Sequence, residues 1–399
     1  MSDTTSEPRY SKDAANRILF LIDNLRPGGA QKAVLALCRA LRDREIGVAV
    51  WRLGGTSEFE EKFQALGVPV LGGSDSVFKL LREPFSLFRH LRRNKVLLVQ
   101  TFLFYSDIAG RVIGRLARLF GGARKTPVVV SSVRATNIRN RWWQFALQRA
   151  TASLADAFTA VSQRTLDFAV EREGVVAERS EVIPNGIDLA SWDALPDSQT
   201  ARAALGLPQN GVVIGAAGRL HAQKGNEFLL AAAKTVLVER SDAFFVIAGY
   251  GPLRRRLEAQ ARSLGIDSQV RFLGFQSDMR TVLAALDIFV LPSLWEGMSN
   301  AVLEAMAASK PVVATAVDGN VEQVVDGETG LLVPPADAEA LATALLTLLR
   351  DSEKAREMGR AGRRRAEREF PLERMIDAHL RLYERLLKDK AGIAPHGWR

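Results

Sequence analysis

Short apolar runs alternate with amphipathic segments along the whole chain. Runs rich in Val, Ile, Leu and Phe stand at 17–23, 48–51, 68–71, 96–102, 127–133, 157–161 and 181–183. Between them, apolar residues recur at helical spacing over 31–44, 57–66, 84–94, 107–120, 141–153 and 163–172. Strands apolar on both faces and separated by helices predict a parallel, doubly wound sheet of seven strands. A turn-rich stretch follows, with Pro184-Asn185-Gly186-Ile187-Asp188, Pro196 and Pro208. A second alternation then predicts strands at 212–218, 244–248, 270–273, 286–291, 312–314 and 330–333, and helices at 225–239, 253–264, 300–308 and 336–349. The expected organisation is a disordered tail over 1–16, an α/β domain over 17–193 and a second over 194–374, with a cleft between them. Residues 352–390 read as helical with alternating charge, a solvated face.

The stretch from Leu291 to Thr315 is the most informative. A buried strand ends at Leu291, Pro292 stops it, and Trp295-Glu296-Gly297-Met298 forms a loop. Ser299 or Asn300 caps a helix that runs to about Ala308, and Pro311 ends it. This order places a helix N-terminus at the carboxyl end of a parallel sheet, where open α/β sheets bind ligands. First-turn N–H groups lack internal partners and attract phosphate. The helix is apolar on every face except at Glu304, which predicts a buried carboxylate in need of a partner. The plainer alternative is a carboxylate at the solvent edge.

Cations follow the second domain's first strand, in Gly218-Arg219-Leu220-His221-Ala222-Gln223-Lys224-Gly225. Arg219 offers a fork and Lys224 a point charge to a pyrophosphate; the alternative is two solvated loop cations. His221 reads as a surface histidine. In the first domain, Gly28-Gly29 open the loop after the first strand, and a plain turn reads as well as a ligand approach.

Composition narrows the function classes. With 47% apolar and 25% charged residues the chain is an ordinary globular protein. Cys38 is the only cysteine and reads as inert core. No signal-peptide pattern and no run of about 18 apolar residues is present, so a cytoplasmic location is expected. Four histidines, one cysteine and no Asp-x-Asp pair predict no metal site. The net charge is +9, and from Ile108 to Ala155 there is no acidic residue. Nine cations fall there, among them Arg111, Arg115, Arg118, Arg124, Lys125, Arg139, Arg141 and Arg149. Leu116, Leu119, Phe120, Trp142, Trp143 and Phe145 lie among them, which predicts peripheral contact with an anionic membrane through 111–149. Core packing is one alternative, and a nucleic-acid-binding protein is another, of a different class.

Pro292, Glu296, Gly297 and Glu304, with seven residues between the carboxylates, resemble the donor-site signature of glycosyltransferase family 4, a retaining family of GT-B fold. Gly218-Arg219-Leu220, Lys224-Gly225, Ala160-Val161-Ser162, the Pro184–Asp188 turn, Gly249-Tyr250-Gly251-Pro252 and Asp326-Gly327-Glu328-Thr329-Gly330 are similar as well. The resemblance spans nearly all of the second domain and scattered points of the first. It implies two Rossmann-like domains and a final helix, 375–387, that crosses back to the first. It implies a metal-independent, retaining transfer of a hexose or N-acetylhexosamine from a UDP- or GDP-sugar. The acceptor would be a hydroxyl of a glycan or lipid-linked glycan in cell-surface polysaccharide synthesis, with no nucleic-acid partner.

By the same resemblance Arg219 and Lys224 hold the diphosphate, Glu296 faces the donor sugar and Glu304 accepts the ribose hydroxyls. The N–H groups of Gly297, Met298, Ser299 and Asn300 contact sugar or phosphate. Gly29, Gly218 and Gly251 let the backbone approach. One departure stands out: many members carry a histidine after the fifth strand of the first domain, where this chain has Arg134. Arginine stays protonated and cannot act as a base, but it can hold a sugar or an acceptor phosphate. Asp107 reads as a helix cap, with acceptor binding as the alternative. A nucleotide-sugar epimerase or hydrolase of the same fold is the remaining alternative, and it needs carboxylate bases in the first domain.

Overall fold

The computed structural model describes residues 17–55, 59–73, 83–120, 126–136 and 138–394. The expected tail 1–16 lies outside them, as do Arg124 and Lys125. The chain forms two compact units. One holds residues up to Arg134, Arg139–Pro184 and the chain from Arg374 on; the other holds Ala135–Ile138 and Asn185–Glu373.

The first unit is built on seven parallel strands: β1 (Arg17–Ile22), β2 (Gly47–Arg52), β3 (Val70–Gly72), β4 (Leu98–Phe102), β5 (Val128–Val133), β6 (Ala157–Ala160) and β7 (Ser180–Val182), in the order β3-β2-β1-β4-β5-β6-β7. β2, β4, β5 and β6 are buried along their full length because helices cover both faces, which is why their sequences read as unbroken apolar runs. Strand order reverses beside β1, and the Gly29–Asp43 helix follows β1 at its carboxyl end.

The second unit repeats the plan with β8 (Val212–Ala217), β9 (Ala243–Ala248), β10 (Val270–Gly274), β11 (Ile288–Leu291), β12 (Val312–Thr315) and β13 (Gly330–Val333), in the order β10-β9-β8-β11-β12-β13. Its core joins Ile214, Leu229, Phe245, Ile288 and Val313 with Leu345 from the Ala338–Arg350 helix. The switch point here lies between β8 and β11.

Several boundaries differ from the sequence reading. The second unit begins at Asn185, nine residues before the expected boundary, because Asn185 bonds within that unit to Met298 and Asn300. A helix at Met279–Ala285, capped by Asp278, was not expected. The region 352–390 divides into two helices, Ser352–Glu369 and Leu372–Ala391, on either side of Pro371. From Arg374 the last helix packs within the first unit, where the buried Tyr383 hydroxyl donates to Gln100 Oε1.

Candidate active site

The second unit gathers its site at the carboxyl ends of β8, β9, β11 and β12. Gly249, after β9, has φ +147°, and a Cβ there would stand 1.8 Å from the Gly218 carbonyl oxygen after β8. Only glycine allows the two loops to close to this distance. The loop after β11 is then tied to the loop after β8. The Leu294 N–H donates to the Gln223 carbonyl at 2.7 Å, and Gln223 Nε2 donates to the Trp295 carbonyl at 3.0 Å.

These ties bring Lys224 against Glu296. The ammonium pairs with Glu296 Oε1, and Ser293 Oγ donates to the same oxygen at 2.7 Å. Both side chains are largely covered, at 17% and 8% exposure. Arg219 stands exposed on the same loop, with no ion-pair partner among the described residues. The Glu296 N–H donates to Asp318 Oδ2 at 2.9 Å, and the same oxygen accepts the Thr136 hydroxyl at 2.5 Å. Asp318 has φ +37°, a conformation that side-chain-bearing residues rarely adopt and that the two bonds hold in place. Gly319 follows, and a Cβ on it would lie 1.8 Å from the Gly297 carbonyl oxygen.

The helix Asn300–Ala307 starts at this point. Ser299 is its cap, with Oγ accepting the Val302 N–H at 3.4 Å. Ser299 is itself held by Gln323, which accepts its N–H and donates to its carbonyl, both at 2.9 Å. The Ser299 N–H is therefore already engaged, whereas those of Asn300 and Ala301 open the helix toward the site. Met298 is buried, and its carbonyl accepts from Asn185 Nδ2 at 3.1 Å. Glu304, one turn along, is half-buried where the apolar helix predicted full burial: its neighbours Leu303 and Ala305 take the inward face. Gly251 lies on the β9 loop, where Tyr250 accepts the Leu220 N–H at 2.8 Å. Lys224, Glu296, Arg219 and the helix start thus share one loop cluster beside the switch point.

The first unit holds Gly29, Asp107 and Arg134. Gly29 is the exposed first residue of its helix. Asp107 is not a cap. The helix Phe104–Leu119 begins three residues earlier, and its N-terminal N–H groups are capped across the sheet by Asp23, which accepts from Ser106 at 2.7 Å and Tyr105 at 3.3 Å. Asp107 is buried one turn in. It accepts the Thr101 hydroxyl at 2.5 Å, and burial lifts its pKa to about 6 against the pull of Arg111 and Thr101. Burial also raises the pKa of Asp23, while its bonds to Ser106 and Tyr105 pull it down. Arg134 is brought down to about 10 by desolvation and stays a cation at neutral pH. Near it is His379 of the last helix, fully buried, with Nδ1 donating to the Met375 carbonyl at 2.9 Å. Burial holds its pKa near 4, so it is neutral.

The basic stretch is thinner on the surface than in the sequence. Arg111 is buried and bonds to Ser131 and Gln148, Arg118 pairs with Asp156, and Arg149 donates to the Glu171 carbonyl. Arg115, Arg139, Arg141 and Trp142 remain exposed. Among the described residues no group of three or more His, Cys, Asp or Glu is placed to hold a metal, and no helix is long and apolar enough to cross a membrane.

Asp318, Thr136, Gln323 and Asp23 are not singled out from the sequence, and Asn185 stands there only as part of the 184–188 turn. Thr136 and Asp318 are 182 positions apart, so no local pattern links them. The one available signal was an aspartate beside the glycine after β12.

Two sequence families match in succession: Glycosyltransferase Family 4 over residues 27–191 and Glycosyl transferases group 1 over 197–365. The chain is 30% identical over 353 residues to a GDP-mannose-dependent alpha-(1-6)-phosphatidylinositol monomannoside mannosyltransferase of Mycolicibacterium smegmatis, covering 85% of this chain and 90% of that one. It is 28% identical over 310 residues to the UDP-Gal:alpha-D-GlcNAc-diphosphoundecaprenol alpha-1,3-galactosyltransferase of Escherichia coli, covering 74% and 77%. In fold it is similar to Anabaena HepE, crystallised with UDP and glucose, at a TM-score of 0.81 and 22% identity over 92% of this chain and 98% of that one.

Proposed function

This chain belongs to glycosyltransferase family 4 and is a glycosyltransferase of GT-B fold acting on nucleotide-sugar donors in polysaccharide or glycolipid synthesis; from that premise we propose a metal-independent, retaining mechanism. The transferred group is a hexose or N-acetylhexosamine, the donor a UDP- or GDP-sugar, and the acceptor a hydroxyl of a glycan or lipid-linked glycan. The observation that carries this reading is the Lys224–Glu296–Ser293 cluster beside the exposed Arg219 and the Ser299-capped helix.

A departing pyrophosphate needs positive charge placed in advance. Lys224, Arg219 and the open N–H groups of Asn300 and Ala301 supply it from one loop cluster. Glu296 is held by Lys224, by Ser293 and, through its backbone, by Asp318, which keeps its carboxylate in place for the hydroxyls of the donor sugar. Glu304 takes the ribose.

The acceptor oxygen attacks the anomeric carbon from the face that the phosphate leaves. The carbon–phosphate oxygen bond breaks, the new glycosidic bond forms on the same face, and the acceptor proton passes to the leaving phosphate oxygen. No protein nucleophile or base is needed, consistent with Arg134 remaining a cation. The epimerase alternative asks for free carboxylates in the first unit. Asp23 and Asp107 are instead committed to a helix start and to Thr101. The enzyme works at the cytoplasmic membrane face, in peripheral contact with it.

Transfer of radiolabelled sugar in the presence of a chelator tests the mechanism. Unchanged turnover with retained anomeric configuration in the product is expected. Loss of turnover on adding chelator, or an inverted product, contradicts it.

A further inference from the structure

We propose that the paired helices Glu83–Arg93 and Phe104–Leu119 form a docking surface for an anionic lipid bilayer. This extends the membrane contact proposed above and moves it away from most of 111–149. It is independent of the donor site.

The two helices bury Leu87, Leu91, Ile113 and Ala117 in the first unit's core. Their outward faces are also apolar in part. Phe85 is 68% exposed, Leu116 42% and Leu119 67%, while Phe120, just past the second helix, is 66% exposed. The Phe88 and Phe120 rings meet edge to face at 6.3 Å, which joins the two outward faces into one patch. A soluble surface tolerates scattered apolar side chains, whereas a joined group marks a contact site.

Charge identifies what it contacts. Arg89, Arg92, Arg93, Lys95 and Arg115 are exposed on the same two segments. From Glu83 to Phe120 the only acidic residues are Glu83, half-buried at the start of the first helix, and Asp107, which is buried. The exposed part of the patch therefore carries cations and no fully exposed carboxylate. Phenylalanine and leucine reaching into acyl chains, beside long cationic side chains that extend to headgroups, is the pattern of an interfacial helix. Nucleic acid would answer the cations but leave Phe85, Leu119 and Phe120 uncovered. Neither Arg111 nor Arg118, the basic residues of the second helix turned inward or paired, takes part.

The test is co-sedimentation of the full chain with vesicles of phosphatidylcholine alone and with phosphatidylglycerol admixed, at low and high salt. Two variants accompany it: Leu119→Glu with Phe120→Glu, and Arg89→Gln with Arg92→Gln, Arg93→Gln and Arg115→Gln. Wild type is expected to bind the anionic vesicles at low salt and to leave them at high salt. The charge variant is expected to lose roughly fivefold in partitioning per cation removed, and the apolar variant to lose the low-salt binding. UDP or GDP binding by calorimetry stays unchanged in both, which separates this surface from the donor site and shows that both variants fold. Equal binding to the two vesicle types, no binding to either, or full binding by both variants overturns the proposal. So does loss of binding in Arg139→Gln with Arg141→Gln and Trp142→Ser while both patch variants still bind.

Discussion

Lys224 and Glu296 each make the other tolerable under cover. Removing the lysine leaves a carboxylate with Ser293 as its side-chain partner, and removes a charge proposed here to hold the diphosphate. Lys224→Ala is therefore expected to lower kcat/KM by roughly a hundredfold or more, measured with saturating acceptor. Asp318 and Thr136 act one step back. Asp318→Ala frees the Glu296 N–H and releases Thr136. A fall in kcat of about tenfold with UDP or GDP affinity unchanged is expected, because the lost bond orients Glu296 rather than the nucleotide. An equal loss of nucleotide affinity speaks against that division of roles.

Asp107 gives a pH signature. Burial raises its pKa from 3.8 to about 6, so the fold binds its proton more tightly than the unfolded chain does. Its contribution to stability is complete below the unfolded value and is lost as pH rises through about 6, by about 3 kcal/mol. Buried His379 slopes the other way, its contribution present above its ordinary value and lost toward pH 4. The clean measurement is the difference in urea stability between wild type and Asp107→Asn across this window, in which His379 cancels. The difference should move in favour of the variant as pH rises; a flat difference contradicts the buried assignment.

At the level of elements, what the sequence showed depended on how local the cause was. The β11 strand, the Pro292 stop, a cap at Ser299 or Asn300 and the start of the next helix are all encoded within thirteen positions, and all were legible. Fully buried strands such as β4 and β5 announce themselves because both faces are apolar. The start of Phe104–Leu119 was not legible, because its cap is Asp23, supplied from another strand. The helix Met279–Ala285 was too short for its periodicity to register. The apolar helix predicts a buried Glu304, yet this single position edges into solvent near the helix start. Capping makes its own prediction. Ser299→Ala should cost about 1 kcal/mol of stability by denaturant titration. It should also weaken nucleotide binding, since the cap fixes the first-turn N–H groups. Gly319→Ala meets a carbonyl oxygen at 1.8 Å and should be worse than Ser299→Ala on both counts; a milder effect contradicts the close approach.

At the scale of the molecule, two parallel sheets of seven and six strands each have their chain reversal beside the first strand of the unit, β1 or β8. That arrangement was legible from alternation alone, since parallel strands need helical crossovers and apolar faces. The candidate site was legible where glycine, lysine and carboxylate cluster in sequence, and hidden where Thr136 and Asp318 meet over long separation. The basic stretch shows the opposite limit: its charges are plain in sequence, but only the fold separates Arg111, buried among hydroxyls, from Arg115 in solvent.

The central claim is that side-chain cations and a helix start grip the donor diphosphate without a metal ion. Calorimetric titration of UDP and GDP in chelator, into wild type and into Arg219→Ala with Lys224→Ala, tests it most directly. The account predicts that one nucleotide binds wild type undiminished by chelator, and that the double variant binds it about a hundredfold more weakly. Binding that vanishes with chelator, or that survives intact in the double variant, contradicts it.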